Sequence, residues 1–204
     1  SAPLVVAPLL EQGAVLHPGR ADGLARPATE AERRLLAQGL VVHLFSFSKS
    51  LFPGARVGSI AVRGRAIEGL VALKHASDLS DSMPLQAAMA EFVSSGAYDR
   101  HLGRVRRVLR ARHRALAEAL ETSLPEGCRW TRPQGGYQVW VELPFEVDTR
   151  DLLADAARAG VLFSPGSQFL PEAGPSRGLR LSLAQAGEEE IRRGIAILGR
   201  LVRE

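Results

Sequence analysis

The spacing of apolar residues changes period several times between residues 98 and 202, and this restricts the fold more than any other property of the chain. Leu102, Val105, Leu109 and Leu116 fall on one side of a helix at about 100° per residue, which predicts a long helix over 98–122. Pro125-Glu126-Gly127 ends it, since proline cannot continue a helix and glycine favours the turn that follows. A strand near 128–131, a Gly135-Gly136 turn and a strand over Tyr137–Leu143 come next. A helix from Thr149 to Ala159, strands over Val161–Ser164 and Leu179–Ala184, and a last helix from Glu188 to Val202 complete the series. Strands and helices in this order predict an α/β sandwich for the last hundred residues.

Upstream the pattern is sparser. Pro3–Val6 and Gly13–Leu16 are short apolar runs that read as buried strands, with turn sequence such as His17-Pro18-Gly19-Arg20 behind them. Thr29 with Glu32 forms a capping box for a short helix through Gln38, and Gly39 stops it. Leu40–Phe47 and Val57–Val62 are rich in β-branched and aromatic residues, which predicts two strands joined by a tight segment. Helices are expected over 65–75 and 84–94, the second with Pro84 in its first turn, where the missing N–H removes no helical bond.

The balance of 46% hydrophobic and 24% charged residues belongs to a folded globular chain and excludes disordered, collagenous and disulfide-scaffold classes. Cys128 is the lone cysteine and cannot close an intrachain bridge, which fits a reducing, cytoplasmic setting. No apolar run approaches the roughly 18 residues that span a bilayer, and Ser1–Leu10 lacks the basic start of a signal peptide. A first residue other than methionine suggests a trimmed or excised chain. The net charge of +4 and pI near 10 raise nucleic acid as a partner. The densest basic cluster is Arg104, Arg106, Arg107, Arg110, Arg112 and Arg114. Arg106, Arg107, Arg110 and Arg114 share the helix side opposite the leucines, the pattern of a solvated face, and no aromatic residue interleaves them. Neither nucleic acid nor a membrane is therefore expected as a partner. Arg112 falls in the apolar sector and should snorkel or find an interior partner.

Lysine occurs only at Lys49 and Lys74, so 24 of the 26 basic side chains are arginine. Lys49 stands among small and hydroxylated residues directly after a predicted buried strand, where an ammonium should be poorly solvated. Desolvation and nearby cations lower a lysine pKa, which imine formation with an aldehyde requires. Ser46 and Ser48 supply hydroxyls, Arg56 a guanidinium fork, and Gly54 and Gly58 permit close backbone approach. Together they could hold a phosphate dianion.

Ser46-Phe47-Ser48-Lys49-Ser50-Leu51-Phe52-Pro53-Gly54-Ala55-Arg56-Val57-Gly58 resembles the lysine segment of fold-type I, class I/II aminotransferases, which use pyridoxal 5′-phosphate. It is most similar to the branch of the MocR-type regulators and the aminoadipate and multi-substrate aminotransferases. Pro133-Gln134-Gly135-Gly136-Tyr137-Gln138-Val139-Trp140 is similar to the family's glycine turn and substrate-side strand. Val161-Leu162-Phe163-Ser164-Pro165-Gly166-Ser167-Gln168-Phe169 resembles its mobile loop, and Gly178-Leu179-Arg180-Leu181-Ser182-Leu183 the strand whose arginine binds the substrate carboxylate. The likeness runs from Leu40 to the C-terminus.

The resemblance implies a fold-type I α/β chain, with residues 1–96 a remnant of the large cofactor-binding domain and 97–204 the small α/β domain. It implies that Lys49 forms the Schiff base and moves the proton, and that Ser46, Ser48 and Arg56 hold the cofactor phosphate. Arg180 would pair with the substrate α-carboxylate, in a geometry lysine cannot reproduce, beside Gly136. Amino acid and 2-oxo acid substrates and a homodimer follow from the same resemblance. Taken singly, Arg180 reads as a structural ion pair and Gly135-Gly136 as a hairpin turn. Their order behind the lysine segment gives them the functional reading.

The sequence departs from the family in two places. The aspartate that pairs with the cofactor's ring nitrogen, and the tyrosine near it, precede the lysine in the family. Here Val6-Ala7-Pro8-Leu9 and Leu16-His17-Pro18 contain neither, and Tyr98 and Tyr137 both follow Lys49. The likeness also begins about halfway through a normal subunit. Two other readings stay open: an effector or sensor domain of a MocR-type regulator, and a degenerate homologue without cofactor. Ser46-Phe47-Ser48-Lys49 also matches the Ser-x-x-Lys of β-lactamases, but the Lys-Thr-Gly element is impossible because His75 follows Lys74. The five histidines show no metal-ligand spacing.

Overall fold

The computed structural model describes residues 14–15, 26–27, 34, 38 and 43–203, apart from 63, 65, 78–80, 145, 146 and 173. The strand expected at Pro3–Val6, most of the helix expected over Thr29–Gln38, and Leu40 to Val42 lie outside those residues. The chain divides into two compact units, Ser1–Val105 and Arg106–Glu204.

In the first unit, β1 (Ala14–Val15) pairs antiparallel with β2 (Arg26–Pro27). β3 (His43–Ser46) and β4 (Gly58–Ala61) form an antiparallel pair in which Ser46 stands opposite Gly58. α1 (Ala66–Ser77) and α2 (Met83–Ser94) follow, α2 with Ser82 at its N-cap and Pro84 in its first turn. Gly96, at φ 69°, makes the corner into α3 (Ala97–Ser123). A side chain disfavours that backbone region, which is why glycine stands there. Phe47, Met89, Val93, Tyr98 and Leu102 form the buried cluster of this unit.

The second unit holds a four-stranded antiparallel sheet of β5 (Arg129–Trp130), β6 (Gln138–Glu142), β7 (Ser164–Pro165) and β8 (Gly178–Ser182), in the order β5-β6-β8-β7. Side chains alternate across it. Val139 and Val141 of β6 and Leu179 and Leu181 of β8 are buried on one face. That face packs in one core with Leu116, Ala119 and Leu120 of α3, Ala156 of α4 (Thr149–Arg158), and Ile191, Ile195 and Leu198 of α5 (Glu188–Leu201). The buried positions of α5 recur at spacings of four and three, so one stripe of the helix faces the sheet. Gly199 is where α5 crosses α3, since a Cβ there would lie 2.0 Å from the Ser123 carbonyl oxygen.

The five helices predicted from residue 65 onward are present with ends within two residues. Two strands end differently from expectation. Val161–Ser164 pairs only at Ser164, because α4 ends in a Schellman turn with Gly160 at φ 85°. There Gly160 N–H donates to Ala157 O at 3.0 Å and Val161 N–H to Ala156 O at 2.8 Å, so Val161 has no donor left for a ladder. β8 likewise stops at Ser182 instead of Ala184. The carbonyls of Leu183 and Ala184 accept from Arg112 at 2.8 and 2.9 Å. Arg112 thus has the interior partner its apolar sector predicted; Arg107, Arg110 and Arg114 are exposed as expected, while Arg106 of the same predicted face is half-buried.

Candidate functional site

The lysine of interest sits in a closed loop. Phe47 N–H donates to Val57 O at 3.1 Å, extending the β3–β4 pair by one rung and joining the two ends of the loop. Leu51 N–H donates to Phe47 O at 2.8 Å, which folds residues 47–51 into a single helical turn. Phe47 and Ser50 are the buried positions of that turn, so Ser46 and Lys49 are exposed and Ser48 is half-buried. Lys49 was expected to be poorly solvated, and this is corrected: burial goes to Phe47 and Ser50, and Lys49 is exposed.

The hydroxyls gather beside it. Ser46 Oγ donates to Ser48 Oγ at 3.0 Å and accepts from Ser48 N–H at 3.2 Å. Pro53–Ala55 forms a 3-10 turn, and Arg56 closes it at φ 48°, ψ 30° with its N–H on Pro53 O. Among the described residues Arg56 is the one non-glycine residue with positive φ. That conformation costs roughly 1–2 kcal/mol for a residue bearing a Cβ. Ser46, Ser48, Lys49 and Arg56 therefore belong to one loop of the first unit.

The loop is anchored by residues that sequence reasoning did not single out. Tyr98 Oη donates to the buried Ser50 Oγ at 2.8 Å, and His101 Nε2 bonds the Ser50 carbonyl at 3.0 Å. The Phe47 ring meets Tyr98 edge-on, with centroids 5.5 Å apart at 75°.

Gly136 and Arg180 lie in the second unit. Trp140 and Arg180 are cross-strand partners, as are Arg180 and Ser164, so the three form a row on the sheet face turned away from the core. Arg180 Nη2 donates to Ser164 Oγ at 3.2 Å, and its guanidinium carbon lies 4.5 Å from the centroid of the Phe169 ring. Phe169 in turn meets Trp140 edge-on at 5.7 Å. None of the ion pairs formed among the described residues involves Arg180. The structural ion pair that a lone strand arginine suggests is therefore not what holds it. A hydroxyl and a ring face hold it flat, and such a fork can receive a carboxylate edge-on.

Gly136 is buried at φ 93°, and its carbonyl is 2.9 Å from His113 Nε2 on α3. A carbonyl only accepts, so that nitrogen carries the hydrogen. Next to it, burial pushes the Tyr137 phenol above its ordinary range, with the Arg112 charge acting the other way. Thr149, buried at the start of α4, ties the Arg180 strand to the loop beside it. Its hydroxyl donates toward Ser176 O and Gly178 O at 3.0 and 2.7 Å and accepts from Gly166 N–H at 3.2 Å. The close approach needs glycine: a Cβ on Gly166 would meet Gly178 O at 2.5 Å, and one on Gly178 would meet the Trp140 ring at 2.2 Å. Register alone could have flagged Trp140; nothing local points to Thr149 or His113.

A lysine turn leaving an antiparallel strand pair, followed by a helix-backed antiparallel sheet with a flat-held arginine, is the plan of the latter part of a fold-type I transferase. The comparisons agree. The family described as aminotransferase class I and II matches residues 19–198. An aromatic-amino-acid aminotransferase of Thermococcus litoralis is 35% identical over 167 residues, covering 82% of this chain and 40% of the relative. An uncharacterised HTH-type transcriptional regulator of Bacillus subtilis is 36% identical over 166 residues, covering 81% of this chain and 34% of the relative. The crystal structure of LysN, an α-aminoadipate aminotransferase of Thermus thermophilus complexed with N-(5′-phosphopyridoxyl)-L-leucine, superposes with a TM-score of 0.77 at 34% identity, covering 96% of this chain and 51% of that one. This chain belongs to the aminotransferase class I and II family. It spans about two fifths of the length of the curated aminotransferases it matches.

Proposed function

We propose that the protein carrying this chain transfers an amino group between an amino acid and a 2-oxo acid, using pyridoxal 5′-phosphate. The observation that carries the reading is the closed loop between β3 and β4, residues 46–56, which carries one amine, two mutually bonded hydroxyls and a guanidinium. That donor set fits an aldehyde that also bears a phosphate dianion. When bound, the cofactor supplies an electron sink for charge developing at the substrate α-carbon.

The chain's own residues do the rest. Lys49 holds the cofactor through its Nζ and moves the proton at the α-carbon. Ser46, Ser48 and Arg56 bind the phosphate. The strained backbone at Arg56 supports this, since glycine would relax the turn and such strain clusters at ligand-binding positions. Arg180 binds the α-carboxylate and is oriented by Ser164 and Phe169; Gly136 lines the substrate side, its carbonyl oriented by His113. In domain terms, residues 1–96 would serve the cofactor and 97–204 the substrate. A cytoplasmic homodimer completes the reading. Among the described residues no helix is long and apolar enough to cross a membrane.

A regulator's effector domain is the second reading, favoured by the 36% identity to the HTH-type regulator. The full gene product loaded with pyridoxal phosphate and mixed with single amino acids separates the two. Conversion of the cofactor to its amine form with release of a 2-oxo acid supports transfer. Binding that alters the spectrum with no 2-oxo acid released supports the sensor and contradicts the enzyme.

A further inference from the structure

We infer that the first turn of α3 sets the position of Lys49, with Tyr98 and His101 as positioning residues that act through Ser50. This rests on the reading of Lys49 as the amine that holds the cofactor. Ser50 follows Lys49 directly and is buried, and its hydroxyl and its carbonyl are both tied to one helix. The hydroxyl accepts from Tyr98 Oη at 2.8 Å and the carbonyl from His101 Nε2 at 3.0 Å. Tyr98 and His101 are three residues apart and so share one side of α3. The Ser50 peptide is held at two points, and the backbone that aims Lys49 has little freedom left.

The surroundings argue that this is orientation and not stability. Met89, Val93, Leu102 and Phe47 make the cluster apolar, and an apolar pair in place of Tyr98 and Ser50 could be nearly as stable. The polar pair instead imposes one geometry on the turn. Phe92 lies against both clamp residues, its centroid 6.2 Å from Tyr98 and 6.3 Å from His101, which limits their own motion.

The test uses the full gene product and three variants, Tyr98→Phe, His101→Ala and His101→Gln. Tyr98→Phe keeps the ring packing and removes only the oxygen; His101→Gln restores a donor. The first readout needs no cofactor. It is acetylation of Lys49 relative to Lys74, compared peptide by peptide by mass spectrometry, with melting temperature as the control for general destabilisation. The second is the rate at which pyridoxal phosphate becomes fixable to Lys49 by borohydride. Tyr98→Phe and His101→Ala should raise the acetylation ratio about threefold and slow capture about fivefold, the size expected for one net hydrogen bond. His101→Gln should return both to within about twofold of the parent. A lowered melting temperature with either readout unchanged in Tyr98→Phe overturns the positioning role. If the parent protein itself captures no cofactor at Lys49, the proposed function fails, and the acetylation ratio alone then decides whether α3 aims the lysine.

Discussion

Lysine appears twice in the chain, and the two positions have different surroundings. Lys74 stands on exposed α1 with its Nζ 2.7 Å from Asp81, a surface pair of little energetic consequence. Lys49 rides on a turn whose neighbours are buried and clamped. Arginine can replace lysine on a solvated face, but it cannot bond covalently to an aldehyde, so Lys49 is where the chain's bias toward arginine meets a chemical limit. Arg56 offers a two-sided prediction. Arg56→Gly relaxes a left-handed residue, so unfolding free energy should change by no more than about 1 kcal/mol, while titration of the full protein with pyridoxal phosphate should show markedly weaker binding. Arg180→Lys keeps the charge and loses the planar fork. Amino-acid affinity should fall at least about tenfold, equivalent to about 1.4 kcal/mol, with the melting temperature little changed.

At the scale of elements, α4 controls two things at once. Asp148 caps it, accepting from Arg150 N–H at 3.1 Å and from Arg150 Nε at 2.8 Å. The Arg150 side-chain bond, and after it the bond from Arg150 N–H, hold the Asp148 carboxyl below its ordinary range. A carboxyl lowered in the folded state adds stability above its unfolded pKa and loses it as pH falls through the lower folded value. Melting temperature should therefore drop on acidification, and Asp148→Asn should flatten part of that drop while retaining a cap. Thr149, one residue on, joins three backbone groups. Thr149→Val should cost about 2–3 kcal/mol in denaturant unfolding because the Gly166 N–H and Gly178 carbonyl it satisfies are buried.

Elements were legible in the sequence wherever a period ran long enough. The leucine stripe of α3 and the alternation of Leu179, Leu181 and Leu183 announced a helix and a strand at nearly the right ends. The break after α4 was not legible, because the apolar run at Val161 looks the same whether its N–H enters a ladder or closes a Schellman turn.

At the scale of the whole molecule, order along the chain carried the family resemblance, and the family match over residues 19–198 bears it out. What order could not carry was contact between distant positions. Tyr98 and His101 reach Ser50 across 48 and 51 residues, and Arg112 reaches Leu183 across 71. No local pattern encodes such pairs. The expectation that Lys49 is poorly solvated failed because hydroxyl-rich surroundings in sequence say nothing about which residues of a turn are buried. The core of the second unit makes a separate prediction. Leu198 is fully buried among the sheet and helices, so Leu198→Ala should cost about 2–5 kcal/mol in unfolding.

The central claim is that Lys49 is the amine that holds pyridoxal phosphate. Its most direct test is borohydride reduction of the full protein incubated with that cofactor, followed by peptide mass spectrometry. The account predicts a reduced phosphopyridoxyl adduct on Lys49 and its loss in Lys49→Ala. An adduct confined to Lys74 or spread over other amines, or one that persists in Lys49→Ala, would contradict it.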